Sequence, residues 1–176
     1  TSHKWACGPE GLGAIFISDR FIKETSPTII GWKSLKREQG IYEQFNDLYH
    51  EDARKFEIAT SCIPLLAGFR TSLKILKTEI LSEERNEILK SMSNYLWCEL
   101  NKLEDIDLVL QAPLSNGIVS FNIEKMTNKN SLIKNLGNKE IWIRLIEDPK
   151  WFRVCIHQLT TFEEIELLLD ELKLLI

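Results

Sequence analysis

Residues 1–13 place a lysine, a histidine and three glycines in one short segment. Lys4 follows His3 directly, and the glycines are Gly8, Gly11 and Gly13. Glycines that bind dinucleotides follow a strand and open a helix, whereas these precede an apolar run, so the dinucleotide fingerprint does not fit. They can instead let the backbone pass close to a flat ligand. A lysine amine that loses its proton, in a dry pocket or beside a positive charge, is a nucleophile or a base; otherwise it is a solvated charge.

Two arginines lie at facing positions of a predicted β-hairpin. Two short alternating segments flank the turn sequence Glu-Asp-Pro-Lys at 147–150, and a loop of that length pairs Arg144 with Arg153. Like charges on directly opposite residues destabilise a sheet unless an anion lies between them. Guanidinium groups bind carboxylates through two parallel hydrogen bonds. An anion such as a carboxylate could therefore lie between the two arginines, although the spacing alone favours one solvated arginine and one paired with an acid of the turn.

The 176-residue chain is slightly acidic, with 22 Lys+Arg against 26 Asp+Glu, and 44% of its residues are hydrophobic. This composition is typical of a globular protein with a packed core, and it argues against nucleic acid or an anionic membrane surface as a partner. No apolar run approaches the roughly eighteen residues of a membrane span. The four cysteines are too far apart for a metal knuckle, which predicts no metal site and reduced thiols in the cytoplasm.

Hydrophobic periodicity predicts the elements of the first half of the chain. We expect a buried strand at 14–17 and a mostly irregular segment at 26–50. A helix starts near Ile63 and carries apolar residues at helical spacing. Ser82 and the acids after it predict the start of a second helix, which ends near Leu103.

The pattern changes in the last third of the chain. It predicts a strand at 117–123, a helix at 131–136 closed by a glycine, and then the two strands of the arginine hairpin. Thr161 and Glu164 predict a capping box that starts a final amphipathic helix. Together these elements predict a compact two-layer lobe from residue 108 onward.

Longer strings around the candidate residues resemble one known family. Residues 2–13, SHKWACGPEGLG, are similar to the lysine segment of class V aminotransferases, the pyridoxal-phosphate-dependent family that includes cysteine desulfurases, cystine lyases and isopenicillin-N-epimerase-like proteins. Residues 56–60, FEIAT, resemble a second segment of that family, and the arginine hairpin with the helix after Thr161 resembles its C-terminal region. The likeness extends over the whole chain and is strongest for the cystine-lyase and epimerase-like branch.

The resemblance implies pyridoxal 5'-phosphate as the cofactor and a role for each residue of the lysine segment. Lys4 would bond covalently to the cofactor and later remove the Cα proton of an amino-acid substrate as a general base. Thr1 and His3 occupy positions that contact the cofactor phosphate. Thr60 matches the threonine that reaches the same phosphate from the neighbouring subunit, which implies a homodimer with shared sites. A lone threonine at this position would otherwise indicate a cap for the helix after it.

The arginines of the hairpin also have counterparts in the family. Arg144 and Arg153 match the residues that bind the substrate α-carboxylate. Lys55 stands where the family usually has an arginine, and Arg54 lies one place earlier. The role of the family's arginine therefore does not transfer directly to either residue.

The implied fold class is α/β, namely the end of the large domain of a fold type I pyridoxal-phosphate enzyme followed by a small α+β C-terminal lobe. We expect residues 1–62 to belong to the large domain, 63–107 to form connecting helices, and 108–176 to form the C-terminal domain. The family also has, before its lysine, an acid for the pyridine nitrogen, a histidine stacked on the ring and a phosphate-binding turn. This sequence lacks them, so we expect a C-terminal portion that is inactive alone.

Several reactions can follow the loss of a Cα proton, and the protein selects among them. A persulfide-forming desulfurase needs a mobile, reactive cysteine on a loop before the carboxylate arginines, and residues 122–143 contain none. We therefore expect β-elimination from cysteine or cystine. Transamination and epimerisation are the alternatives within the family, and a non-catalytic fragment or interaction lobe is the alternative from another class.

Pyridoxal phosphate added to the isolated chain is expected to leave no stable, borohydride-reducible chromophore on Lys4. The reason is that the cofactor works as an electron sink only when its ring is held and protonated. Absorbance spectra before and after borohydride treatment measure this, and a reduced cofactor bound to Lys4 would contradict the expectation.

Overall fold

The computed structural model describes residues 1–36, 48–80, 83–111 and 116–176, without the side chains of residues 79 and 80. The chain forms two compact units, Thr1–Leu76 and Lys77–Ile176. The described chain contains both helices and short strands, which confirms the expected α/β class. The division into large domain, connecting helices and C-terminal domain stays a prediction.

The first unit contains few regular elements. Helix α1 (Asp19–Glu24) is short, a 3-10 turn covers Ala53–Phe56, and helix α2 spans Ile63–Ile75. One isolated antiparallel bridge joins Leu35 to Tyr49. Helix α2 confirms the helix that hydrophobic spacing predicts from Ile63, and a π-helical turn follows it. The described parts of 26–50 are irregular as expected, and residues 37–47 lie outside the described residues.

The strand expected at 14–17 is wrong, because these residues form no strand in the structure. Ile15 and Phe16 are 84% and 94% exposed, so the run is not buried either. A strand is stable only when its amides and carbonyls pair with a neighbouring backbone, and none of the described residues pairs with this run. The apolar composition of this run indicated a local tendency to form a strand, but it carried no information about which segment would pair with that strand. Helix α1, which directly follows, is too short for periodicity to reveal.

The second unit is built on a four-stranded antiparallel sheet with strand order β1-β2-β4-β3. The strands are β1 (Asp107–Leu108), β2 (Ile118–Asn122), β3 (Arg144–Leu145) and β4 (Phe152–Cys155). Strand β2 and the β3–β4 hairpin confirm the expected strands. Strand β1 is too short to have a pattern of its own, and its pairing with β2 becomes visible only in the fold.

Three helices complete this unit: α3 (Glu83–Leu100), α4 (Lys129–Gly137) and α5 (Phe162–Leu175). All three were expected, although α3 ends at Leu100 instead of near Leu103 and the proposed cap Ser82 lies outside the described residues. The capping box of α5 is confirmed. The Thr161 hydroxyl accepts the Glu164 amide at 3.3 Å, and the Glu164 carboxylate accepts the Thr161 amide at 2.8 Å.

The described helices of this unit cover one face of the sheet and not the other. Val119 and Phe121 of β2 and Phe152 and Val154 of β4 point into a core that also contains leucines of α3, α4 and α5. Since side chains alternate along a strand, the residues between them lie on the opposite face. Arg153 is one of these, so the core places it on the side of the sheet away from the helices.

Replacing Thr161 by alanine is expected to lower the free energy of unfolding by about 1 kcal/mol, because the Glu164 amide loses its acceptor. Thr161→Ser keeps the hydroxyl and should stay within about half of that loss. Urea unfolding followed by circular dichroism measures both. Equal stability of the alanine variant and the original chain would contradict the role of the cap.

Candidate active site

Residues 2–12, which we call the lysine loop, are closed by hydrogen bonds from Ser2. The Ser2 amide donates to the Leu12 carbonyl at 3.0 Å, and the Ser2 carbonyl accepts the Gly8 amide at 2.8 Å. The Ser2 hydroxyl lies within hydrogen-bond distance of the carbonyls of Leu12, at 2.9 Å, and Pro9. Ser2 is fully buried, so these groups replace the water that a hydroxyl would otherwise bind.

Lys4 lies at the tip of this loop and is exposed. Its carbonyl accepts the Cys7 amide at 3.0 Å, which turns the chain back, and Cys7 takes up the left-handed region with a φ of 49°. Thr1 and His3 are exposed beside it. The structure therefore leaves all three residues predicted at the N-terminal end accessible, with Lys4 opening the turn.

Helix α2 packs against the lysine loop. Ser72, which is buried, donates its hydroxyl to the carbonyl of Ala6. Gly8 fits closely against the helix and the loop, since a Cβ there would lie 3.1 Å from the Phe69 ring and 2.9 Å from the Ser2 Cβ. The sequence indicated an amphipathic helix at this position, but nothing in it showed which segment the helix supports.

The chain before Thr60 is held by a second buried serine. The Ser34 hydroxyl donates to the Glu57 carbonyl at 2.6 Å and accepts the Gly31 amide at 3.1 Å. A Cβ on Gly31 would lie 2.0 Å from the Ile58 carbonyl oxygen, so only glycine allows this approach. Thr60 itself is exposed. It does not cap α2, because the N-cap residue is Cys62, without a side-chain cap bond.

Lys55 and Arg54 have different partners. The Lys55 amine donates to the carbonyls of Thr25, at 2.6 Å, and Ile22, at the C-terminal end of α1, where a positive charge is favourable. Arg54 instead binds Asp52 with a distance of 2.8 Å between Nη2 and Oδ2. Hydrogen bonds from the Arg54 guanidinium and amide lower the pKa of Asp52 to about 2. Lys55 is thus the residue that ties the 3-10 turn before Thr60 to α1.

The arginine hairpin is confirmed in its register. Arg144 of β3 is directly opposite Arg153 of β4, and the Ile146 amide donates to the Trp151 carbonyl at 2.8 Å. Arg144 is exposed and Arg153 is half-buried. Within the described residues, neither arginine forms an ion pair with an acid, the acids of the turn included.

Arg153 has an unused donor. Its Nε is buried and has no hydrogen-bond partner among the described groups. A buried charged donor without a partner is costly, and a second guanidinium in the facing position adds repulsion. An anion with two acceptor oxygens would satisfy the donor and reduce the repulsion, which is the chemistry that a carboxylate provides.

Other kinds of site find little support in the part of the chain that the structure describes. It contains no cluster of histidine, cysteine and acidic residues that could hold a metal ion. No helix among those described is long and apolar enough to cross a membrane. Cys7, Cys62, Cys98 and Cys155 form no disulfide and are exposed.

Sequence reasoning missed the serines that build the site. Ser2, Ser34 and Ser72 are buried and bond to backbone carbonyls of distant residues. A serine in a glycine-rich or helical segment carries no signal that it is buried, because the carbonyl it meets comes from elsewhere in the chain. Only Ser2 lay inside a recognisable sequence string, and that string was interpreted through Lys4 instead of Ser2.

Gly8→Ala is expected to open the lysine loop, because the new methyl group would lie 2.9 Å from the Ser2 Cβ. Gly13→Ala is a matched control, since its Cβ would meet Thr1 at an ordinary 3.6 Å. Amide hydrogen exchange of residue 2 should become about tenfold faster or more in the first variant and change less than about twofold in the second. Equal exchange rates in the two variants would show that the loop does not depend on Gly8.

Comparison with known proteins agrees with this geometry. The family described as Aminotransferase class-V matches residues 1–147. No curated protein sequence matches the chain. The structure of the cystine C-S lyase C-DES in complex with its reaction product cysteine persulfide is 31% identical with a TM-score of 0.86, and a C-DES mutant with glycine covalently linked to the PLP cofactor is 30% identical with a TM-score of 0.84.

Both matches cover 98% of this chain and 44% of the other, so the chain spans less than half the length of these relatives. The apo cysteine desulfurase from Thermococcus onnurineus NA1, 21% identical with a TM-score of 0.77 over 99% of this chain and 45% of that one, shows the shared fold alone. The family expected from the lysine segment is therefore confirmed: the chain belongs to the class V aminotransferases.

Proposed function

We propose that this chain is the C-terminal portion of a pyridoxal-phosphate-dependent lyase that removes the β-sulfur substituent of cysteine or cystine. The observation that carries the proposal is the facing pair Arg144 and Arg153, with a buried Nε that has no partner among the described groups. Such a pair suits the α-carboxylate of an amino acid. The identity of 31% with a cystine C-S lyase supports the choice of a sulfur-containing amino acid.

The lysine loop fits pyridoxal phosphate. Lys4 offers an exposed amine on a turn that buried hydrogen bonds hold in one shape. Thr1 and His3 offer a hydroxyl and an imidazole beside it, which are suitable donors for a phosphate. The close approach at Gly8 leaves no room for a side chain between loop and helix, so the amine is carried on a compact support. Lys4 would hold the cofactor through its aldehyde, and Thr1 and His3 would hold its phosphate.

Each residue then has a defined task. When bound, the cofactor supplies an electron sink that allows an amino acid to lose its Cα proton. Arg144 and Arg153 bind and orient the α-carboxylate, which limits the orientations in which the Cα–H bond can point toward a base. The amine of Lys4 accepts that proton as the general base. Ser2, through the closed loop, keeps the amine in place for this transfer.

β-Elimination is the reaction that we favour. For cystine, the Cβ–S bond breaks, and cystine and water give pyruvate, ammonia and cysteine persulfide, so that no external oxidant is needed. A desulfurase would require a reactive cysteine before the arginines, and residues 122–143 have none. A relative described as a cystine C-S lyase with cysteine persulfide as its reaction product is consistent with this choice.

The proposal includes a cytoplasmic homodimer in which Thr60 serves the site of the neighbouring subunit. Its support is the exposure of Thr60, which has no capping role in its own chain, and the tight hold of Ser34 on the segment before it. An exposed hydroxyl on a well-held segment suits a contact with a group outside its own subunit.

Lys4→Ala in the holoenzyme is expected to reduce pyruvate formation from L-cystine by at least about a thousandfold, since both cofactor attachment and the base are lost. Lys23→Ala, which removes an exposed lysine at the end of α1, is the matched control and should retain full activity. Pyruvate is measured with a coupled dehydrogenase assay. A Lys4→Ala enzyme with normal activity would overturn the proposal. If the original enzyme instead converts L-cystine to the D-configured product without forming pyruvate, the reaction is epimerisation.

Heterodimers of Lys4→Ala and Thr60→Ala subunits test the shared site. If Thr60 acts across the interface, one of the two sites combines an intact Lys4 with an intact Thr60, and the purified heterodimer should regain about half of the original activity. If Thr60 acts within its own subunit, both sites stay defective, and activity does not return. Differently tagged subunits allow the heterodimer to be isolated and assayed.

A further inference from the structure

We propose that Ser120 is a further substrate-binding residue, whose hydroxyl donates a hydrogen bond to the carboxylate that Arg144 and Arg153 bind. This inference rests on the proposed function. It adds a neutral donor on β2 to two charged donors on β3 and β4, so that the site spans three strands. Ser120 is not part of the segments that indicated the function from the sequence.

The strand register brings the three residues into one row. Ser120 of β2 is directly opposite Arg153 of β4, and Arg153 is directly opposite Arg144 of β3. Side chains on directly opposite residues of antiparallel strands point to the same face, with Cβ atoms about 4.5–5.5 Å apart. Ser120 therefore flanks Arg153 on one side as Arg144 flanks it on the other, although the three residues are far apart in the chain.

This row lies on the face of the sheet away from the core of its unit. The neighbours of Ser120 along β2, Val119 and Phe121, are fully buried in that core. Ser120 is half-buried, and Ile118, which shares its face, is 48% exposed. A ligand can therefore approach the row, while the half-burial of Ser120 and Arg153 lowers the competition from water for the bound anion.

Ser120 differs from the other well-packed serines in what its hydroxyl does. Ser2, Ser34, Ser72 and Ser93 all direct their hydroxyls to backbone carbonyls. The Ser120 side chain forms no hydrogen bond with a described group, although the backbone of β2 pairs with β1 on one side and with β4 on the other. Asn122, the next residue on the same face of β2, is bound by Lys129.

Two unused donors thus stand side by side, the Ser120 hydroxyl and the Arg153 Nε. Within the described residues, the buried Arg153 Nε has no acceptor. A carboxylate has two oxygens with about four acceptor positions, enough for both guanidiniums and one hydroxyl. Hydrogen bonds to an ionised acceptor are shorter and stronger than those between neutral groups, so the hydroxyl contributes most when the carboxylate is charged.

The test compares glycine with methylamine, which differ by the carboxylate alone. Isothermal titration calorimetry on the holoenzyme gives both dissociation constants, and their ratio measures how much the carboxylate contributes. Ser120→Val and Ser120→Thr have nearly the same shape and differ in the hydroxyl, so that a change of packing affects both. Ser120→Val is expected to reduce the glycine preference about tenfold, with methylamine binding unchanged, and Ser120→Thr to stay within about twofold of the original. Arg153→Lys serves as the reference for loss of a charged contact.

The outcomes separate this inference from the function on which it rests. If Arg153→Lys lowers the glycine preference and Ser120→Val does not, the inference is wrong and the proposed carboxylate site stands. If both Ser120 variants lower the preference equally, or if Ser120→Val weakens glycine and methylamine alike, Ser120 has a packing role and the inference is overturned. If the original enzyme shows no preference for glycine, the proposed function itself fails, and this inference fails with it.

Discussion

The buried hydroxyl of Ser2 is the interaction on which the candidate site depends. It lies within reach of two carbonyls that are distant in sequence, and the backbone of the same residue pairs with Leu12 and Gly8. A hydroxyl removed from water must find such partners, since an unpaired one costs free energy comparable to a lost hydrogen bond. The requirement ties both ends of the lysine loop together, and Lys4 is carried at a fixed place as a result.

The facing pair of Arg144 and Arg153 is a second constraint, and it destabilises the sheet. Two guanidiniums face each other without an acidic partner among the described residues, and one donor is buried without an acceptor. Strands β2 and β4 bury Phe121 and Phe152 on the other face, with ring centroids 5.3 Å apart, and this aromatic contact stabilises the pairing of β4 with β2. Sites that bind a charged ligand commonly keep an unfavourable arrangement that the surrounding core must offset. The second unit has that core, formed by leucines of three helices.

Much of the local structure followed from sequence. The capping box at Thr161, helix α2 and the pairing of Arg144 with Arg153 were expected, because caps, helical spacing and short turns depend on residues close together in the chain. The strand expected at 14–17 failed for the opposite reason: a strand needs a partner, and an apolar run does not specify one. The support of the segments around Lys4 and Thr60 by serines could not be predicted from sequence either. Ser72 and Ser34 bond to carbonyls far along the chain.

The sequence by itself determined the family, through the strings around Lys4 and Thr60, and the register of one hairpin. It determined these because each rests on a short stretch of chain whose residues constrain one another directly. Only the tertiary structure decided that α2 supports the lysine loop, that Lys55 rather than Arg54 reaches α1, and that Ser120 lies directly opposite Arg153. Those arrangements depend on which distant segments pack together and in what strand order, and burial of apolar side chains selects that packing without leaving a local pattern.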